Sequence, residues 1–376
     1  MHKSENLEQE RYPKFESFEE MKESLLEYHP LRSKFKMILL IGDTEEKNNI
    51  ITEFEKNFSV LDKKSFYKIK IENSNTKRVD FLGYLKFLKV QEHIQFFILF
   101  TYSTSRQIKK YLINHFLNKN HRINLLWLNH KLTTDLLDFM DKFNTEIIDI
   151  KGTYSPSFEI KSKLRPNFKR KIRYQGGDAL DSYYELNDLY GINIEEFSGK
   201  IDNKEFQFKR KDAIFSFKQG DLLKFLEISE WIINKSSQYL GEIRKFKKKV
   251  HESLILNRDI LLSNYLSVKF ENMLTSEILK EMIKELQKST DIEIISVISN
   301  DDINRFENLE EDNQINEFYY RLRIINPRKD GIFTVEISQK SAVISQIFDT
   351  NFTSVFPILD FLDYTQPKNE ILVLDN

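Results

Sequence analysis

The chain contains no cysteine. That single absence excludes disulfides, thiolate zinc sites, iron–sulfur clusters and cysteine nucleophiles, and it fits a reducing compartment. Glycine is scarce, with 10 in 376 residues, and none is spaced as a phosphate cradle. Neither GxGxxG nor GxxxxGK[ST] occurs. The turn after the first apolar run, from Gly42 to Asn49, carries Glu45 and Glu46, which repel a phosphate at a helix start. Long apolar runs are missing too. Stretches such as Ile94–Phe100 are too short to cross a bilayer, and the N-terminal residues carry acids where an export signal needs an apolar core. These features predict a cytoplasmic protein with no membrane partner.

The seven histidines form no HxxxH, HxH or HExxH pattern, and no GxSxG elbow is present. No metal, no cofactor and no catalytic set is therefore expected. Asp43, Arg106 and His130 are the residues that an enzyme of nucleotide or nucleic-acid metabolism would have to gather in one cleft.

Phenylalanine is abundant, at 31 residues, and charged residues make up 31% of the chain. The length exceeds what one core usually serves, so two or three domains are expected. A net charge of −1 conceals an uneven distribution. Residues 34–250 hold 40 Lys/Arg against 28 Asp/Glu, whereas residues 291–376 hold 7 against 16. Either one region meets an external anion, or the two regions attract each other within the fold.

The hydrophobic pattern predicts an acidic helical arm over 1–33, with Ser17 and Glu20 as a capping box. Over 34–152 it predicts an open, mostly parallel Rossmann-like sheet with helices on both faces. Its strands are read at Phe35–Gly42, Ser65–Ile71, Ile94–Tyr102, Arg122–Asn129 and Thr145–Lys151, with Val79–Val90 and Leu132–Phe143 helical. From 153 to 240 follow a basic linker and a first unit of helix, antiparallel strands and helix. A helical connector is predicted over 241–290, centred on Arg244–Phe270, and a second, acidic unit of the same order over 291–376. The segments Lys211–Ser216 and Lys340–Ser345 echo each other, which suggests an internal repeat.

In a parallel sheet, ligands lie beyond the carboxyl ends of the strands. That rule selects the turn Ser103, Thr104, Ser105 and Arg106, and the turn Asn129 and His130, as anion-binding candidates. Hydroxyls, helix-start N–H groups and a guanidinium suit a phosphorylated small molecule. The same residues also suit ordinary helix capping. A second signal is the tract Lys161–Arg173, with seven Lys/Arg in thirteen residues and no acid. Its Lys161, Lys163, Arg165, Lys169, Arg170, Lys171 and Arg173 are candidates for nucleic-acid binding, with Phe168 and Tyr174 alongside. Arg244–Lys249 and Lys209–Lys211 are further basic clusters. The expected function is a non-enzymatic regulatory or binding protein. The alternatives are the enzyme above and a protein-interaction scaffold.

Overall fold

The computed structural model describes residues 13–27, 34–43, 50–61, 66–72, 79–91, 93–120, 122–154, 171–245, 249–253, 258–262, 265–270, 273–289, 291–299, 319–329, 331–347, 352–365 and 370–374. Strand β1 (Phe35–Asp43) is buried along its whole length and lies at the centre of an eleven-stranded sheet. Around it run β2 (Ser59–Leu61), β3 (Phe66–Glu72), β4 (Val79–Gln91), β5 (Ile94–Thr101), β6 (Ile123–Leu125), β7 (Thr145–Tyr154), β8 (Lys171–Gln175), β9 (Ile192–Ile201), β10 (Lys204–Lys209) and β11 (Ile214–Phe217). Their order is β2-β3-β4-β5-β1-β11-β10-β9-β7-β8, with β6 also beside β1.

Every pairing in this sheet is antiparallel. The expected parallel Rossmann-like sheet is thereby overturned. The decisive segment is Val79–Val90, read as helical and found within the thirteen-residue strand Val79–Gln91. Its apolar residues satisfy a helical period, yet Phe81, Leu82, Tyr84 and Leu85 are all buried, as in a strand covered on both faces. Gly83 has a role there. A Cβ at that position would lie 2.8 Å from Leu99 Cδ1 on β5. A tight turn then returns the chain, with His93 at φ 59° and Gln91 opposite Ile94. A hairpin thus stands where a helical crossover was expected, and the strand direction alternates.

One face of the β3–β5 half carries α2 (Ile50–Glu55) and a helical segment formed by α3 (Ser105–Gln107) and a π-helix (Ile108–Leu117). Ile38, Leu40, Phe54, Phe97 and Phe116 make the core between them. The opposite face is covered by α1 (Phe18–Leu26), α4 (His130–Met140), α5 (Ala179–Tyr190) and α6 (Leu222–Lys245). On that side Phe197, Phe206, Phe208, Phe215 and Phe217 meet Phe225 and Ile232. Phe217 and Phe225 stack with ring centres 4.1 Å apart. The sheet runs without a break across residues 152 and 153.

After α6 the expected helical connector does not form. A ribbon of β12 (Lys249–Ser253) and β13 (Arg258–Leu262) occupies that place, followed by β14 (Tyr265–Lys269). With α7 (Ser276–Gln287), β15 (Glu293–Ser299), β16 (Tyr319–Asn326), β17 (Gly331–Ser338), β18 (Ser341–Gln346), α8 (Phe356–Thr365) and β19 (Glu370–Leu374), β14 builds a six-stranded antiparallel sheet. Its order is β15-β16-β17-β18-β14-β19. Among the described residues, no helix is long and apolar enough to cross a membrane.

Candidate functional site

On the face that carries α2 and the π-helix, the helices pack over β1 and β3–β5, and the other half of the face lies on β7–β11. There, alternate residues of β7–β11 point away from the phenylalanine core. The register places Gln207 beside Ser216 and Ser216 beside Lys36. It also places Arg173 beside Lys151, Lys151 beside Glu196, and Glu196 beside Lys209. Lys200 lies between Glu146 and Glu205, and Lys171 joins Arg173 on the outermost strand. Six cations (Lys36, Lys151, Lys171, Arg173, Lys200 and Lys209) thus share a face with four carboxylates (Glu146, Asp149, Glu196 and Glu205). The excess charge is positive.

These charges form a ladder across the strands. Arg173 donates from Nε and a terminal nitrogen to the two oxygens of Asp149, at 2.7 and 3.0 Å. Lys151 bonds Glu196 and lies 3.7 Å from Asp149, and Lys209 approaches Glu196 at 3.7 Å. Lys200 meets Glu146 at 3.5 Å. Burial works against the Glu196 charge, but hydrogen bonds from Lys151 and Gln207 and the two lysine charges outweigh it, so its carboxyl titrates below the usual range. The cations remain within reach of solvent: the Lys151, Lys209 and Arg173 side chains keep 38, 40 and 52% of their surface. Such pairs each contribute only about 0.2–1 kcal/mol to a sheet. An incoming phosphate can therefore replace a carboxylate at small cost.

Lys36 stands where the open half meets the helix-covered half. Its Nζ is largely buried and donates to the carbonyls of Ser103 at 2.7 Å and Lys34 at 3.1 Å. Burial and the charges of Lys34 and Lys209 lower its pKa to about 8.

The turn Ser103–Arg106 borders this corner. Ser103 is buried, and its N–H donates to Thr101 Oγ1 at 2.9 Å. Thr104 forms a reciprocal cap with Gln107, while Ser105 and Arg106 are exposed. Because β5 and its neighbours run in opposite directions, the carboxyl-end argument that selected this turn has no basis in the fold. Asn129 and His130 lie elsewhere. Asn129 Oδ1 accepts from Leu132 N at 2.8 Å as the cap of α4. The His130 N–H donates to Asp363 Oδ2 at 2.6 Å, and its Nδ1 accepts from Ile194 N at 3.3 Å.

The set Asp43, Arg106 and His130 does not converge. Asp43 pairs with Ile94 and Lys36 with Thr101, so Asp43 and the Ser103–Arg106 turn occupy opposite ends of β1 and β5, about 20 Å apart. Asp43 is instead held by Arg244 at 3.4 Å. Among the described residues, no three His, Asp or Glu side chains are placed to share a metal ion. Of the basic tract, Lys171 and Arg173 lie on β8; Lys161, Lys163, Arg165, Lys169 and Arg170 lie outside the described residues. In sequence they join β7 to β8, the two outermost strands of the open face.

Sequence reasoning passed over Lys36, Lys151 and Lys200, and noted Lys209 only as part of a basic cluster. Their signal was present. Lys36 is the one charge inside an otherwise apolar central run, and Ser198/Lys200 and Gln207/Lys209 alternate with Phe197, Phe206 and Phe208.

Residues 136–212 match the model of the AF_0896_M family middle domain. That span contains β7, β8, β9 and β10, the strands that carry most of the open face. The chain is also similar to a protein of Archaeoglobus fulgidus named "Uncharacterized protein", at 27% identity over 167 residues. The similarity covers 43% of this chain and 43% of that protein. No solved structure matches the chain.

Proposed function

We propose that the protein is a non-enzymatic binding or regulatory protein that engages nucleic acid through the open half of its large sheet. The observation that carries this reading is the excess of cations on a solvent-facing sheet surface. The basic Lys161–Arg173 connection is attached to the edge of that same surface. Phosphate neutralisation needs cations grouped on one face, and the register of β7–β11 groups them. Among the described residues this half of the face presents no aromatic ring, because the phenylalanines of β9, β10 and β11 point to the other side. Contacts are then to phosphates rather than to bases, and binding is largely independent of sequence.

The test is binding of labelled single-stranded and duplex oligonucleotides across a salt series. Affinity is expected to fall steeply with salt, with a slope set by the number of phosphates neutralised. The variant carrying Lys169→Glu, Arg170→Glu and Lys171→Glu is expected to lose binding, and Lys151→Glu to flatten the slope. Absence of binding to any oligonucleotide at about 50 mM salt would overturn the proposal.

A further inference from the structure

We infer that the Lys36 corner receives the terminal phosphate of a bound nucleic-acid strand. This rests on the nucleic-acid reading of the open face and deepens it. Lys36 is a buried ammonium with two of its three N–H groups on backbone carbonyls. Among the described residues, the charges that bear on it are two more cations, Lys34 and Lys209. A buried positive charge surrounded by positive charges favours an anion beside it. The neighbouring Ser103 hydroxyl makes no hydrogen bond within the protein and is a second unused polar group at this position.

Location decides which phosphate it is. The open face runs from β8 through β7, β9, β10 and β11 to β1, five strand spacings or about 24 Å. At β1 the surface changes from polar to apolar: Ile214 and Ile38, the next pair along the register from Ser216 and Lys36, already belong to the core beneath α2 and the π-helix. Across the sheet from Lys36 the next strand is β5, where Thr101 is buried and the chain turns through Ser103 into α3, so a strand crossing the lysine ladder ends against that wall. An internal phosphodiester would need room on both sides. A terminal monoester needs it on one side only, and it carries close to two charges where a diester carries one.

The experiment compares three oligonucleotides of one sequence, ending in a 5′-phosphate, a 3′-phosphate or hydroxyls only, each titrated with the full chain. One phosphorylated end is expected to bind about tenfold more tightly than the hydroxyl-ended strand. Lys36→Met is expected to erase that preference, so that the phosphorylated strands bind the variant no more tightly than the hydroxyl-ended strand does. Arg173→Glu, at the far end of the face, is expected to weaken all three alike. Equal affinity of the wild-type chain for the three strands overturns end recognition and leaves the nucleic-acid reading standing. Failure of all three to bind removes both. The comparison on the wild-type chain needs no variant to fold.

Discussion

At the residue scale, Lys329 is a buried charge whose partners lie far away in sequence. Lys329, in the turn after β16, places its ammonium on the carbonyls of Leu117, Asn120 and Ile123, at 2.5, 2.5 and 3.3 Å. These carbonyls end the π-helix and begin β6, so the lysine caps a segment of the large sheet domain from the smaller one. Burial lowers its pKa to about 7. Lys329→Met should cost about 2 kcal/mol at pH 7 by leaving the carbonyls unpaired in a dry junction. The folded lysine sheds its proton near 7, and the unfolded one keeps it to about 10.5. Wild-type stability therefore gains a contribution as pH rises between those values, and the methionine variant lacks it. Urea unfolding of both proteins at pH 6.5 and 9.5 measures this. A stability difference that does not widen at pH 9.5 counts against the buried ammonium. None of it is legible in the sequence, where Lys329 is one lysine in an ordinary turn.

At the element scale, the close approach of backbones sets the register of the open face. Gly199 on β9 lies opposite Ile147 on β7, and a Cβ there would lie 2.1 Å from the Glu146 carbonyl oxygen. Gly199→Ala should cost about 2–3 kcal/mol, because backbone rather than a pliable side chain has to move. Gly177, where an added Cβ would have nothing within 4 Å, is the control and should be nearly neutral. The urea midpoint of the first should fall with little change in slope. The elements themselves were partly legible. β9, β10, β11, β15, β16, β17 and β18 fall within segments whose alternation reads as strand. Val79–Val90 did not read correctly because a strand buried on both faces and a buried helix show the same near-continuous apolar residues. Gly83 in mid-run and the short step from Val90 to Ile94 were the available hints. The ribbon β12–β13 was missed for a related reason: its mixed apolar and charged residues fit a helical period as well as an alternating one.

At the scale of the whole molecule, the charge asymmetry is partly consumed inside the fold. Arg210, in the turn between β10 and β11, reaches Asp363 at 3.2 Å and Asp360 at 3.4 Å on α8. It also donates to the Leu128 carbonyl at 3.0 Å. Lys211 meets Asp291 at 3.3 Å, and Trp127 stacks on Phe356. The two sheets are thus docked through a cation of the basic region and acids of the acidic one. Burial pushes Asp363 up to about 7, against the opposing pull of Arg210 and the His130 N–H. Arg210→Met should cost about 3–5 kcal/mol at pH 8, because it strands a carboxylate in the junction. A carboxyl whose folded pKa is raised contributes stability at low pH that is lost as pH rises through about 7. The Arg210→Met defect should accordingly shrink at pH 5, and Asp363→Asn in that background should restore part of the loss at pH 8. Limited proteolysis, reading release of the C-terminal unit, checks both. A defect equal at the two pH values argues that Arg210 acts through packing alone.

Composition and spacing alone determined what chemistry is absent from this chain, where its basic residues concentrate, and which short segments alternate as strands. Those are local properties, set by residue type and by periods of two or 3.6. Strand direction, and with it the meaning of every strand end, was decided only by tertiary pairing. A hairpin at His93 in place of a crossover reverses β4 and β5 and removes the carboxyl-end logic that singled out Ser103–Arg106 and Asn129–His130. The tertiary structure likewise gathered Lys36, Lys151, Arg173, Lys200 and Lys209, which lie up to 173 residues apart, because antiparallel register carries one side chain in two to a common face. Long-range pairing of that kind leaves no signature in any single stretch of sequence.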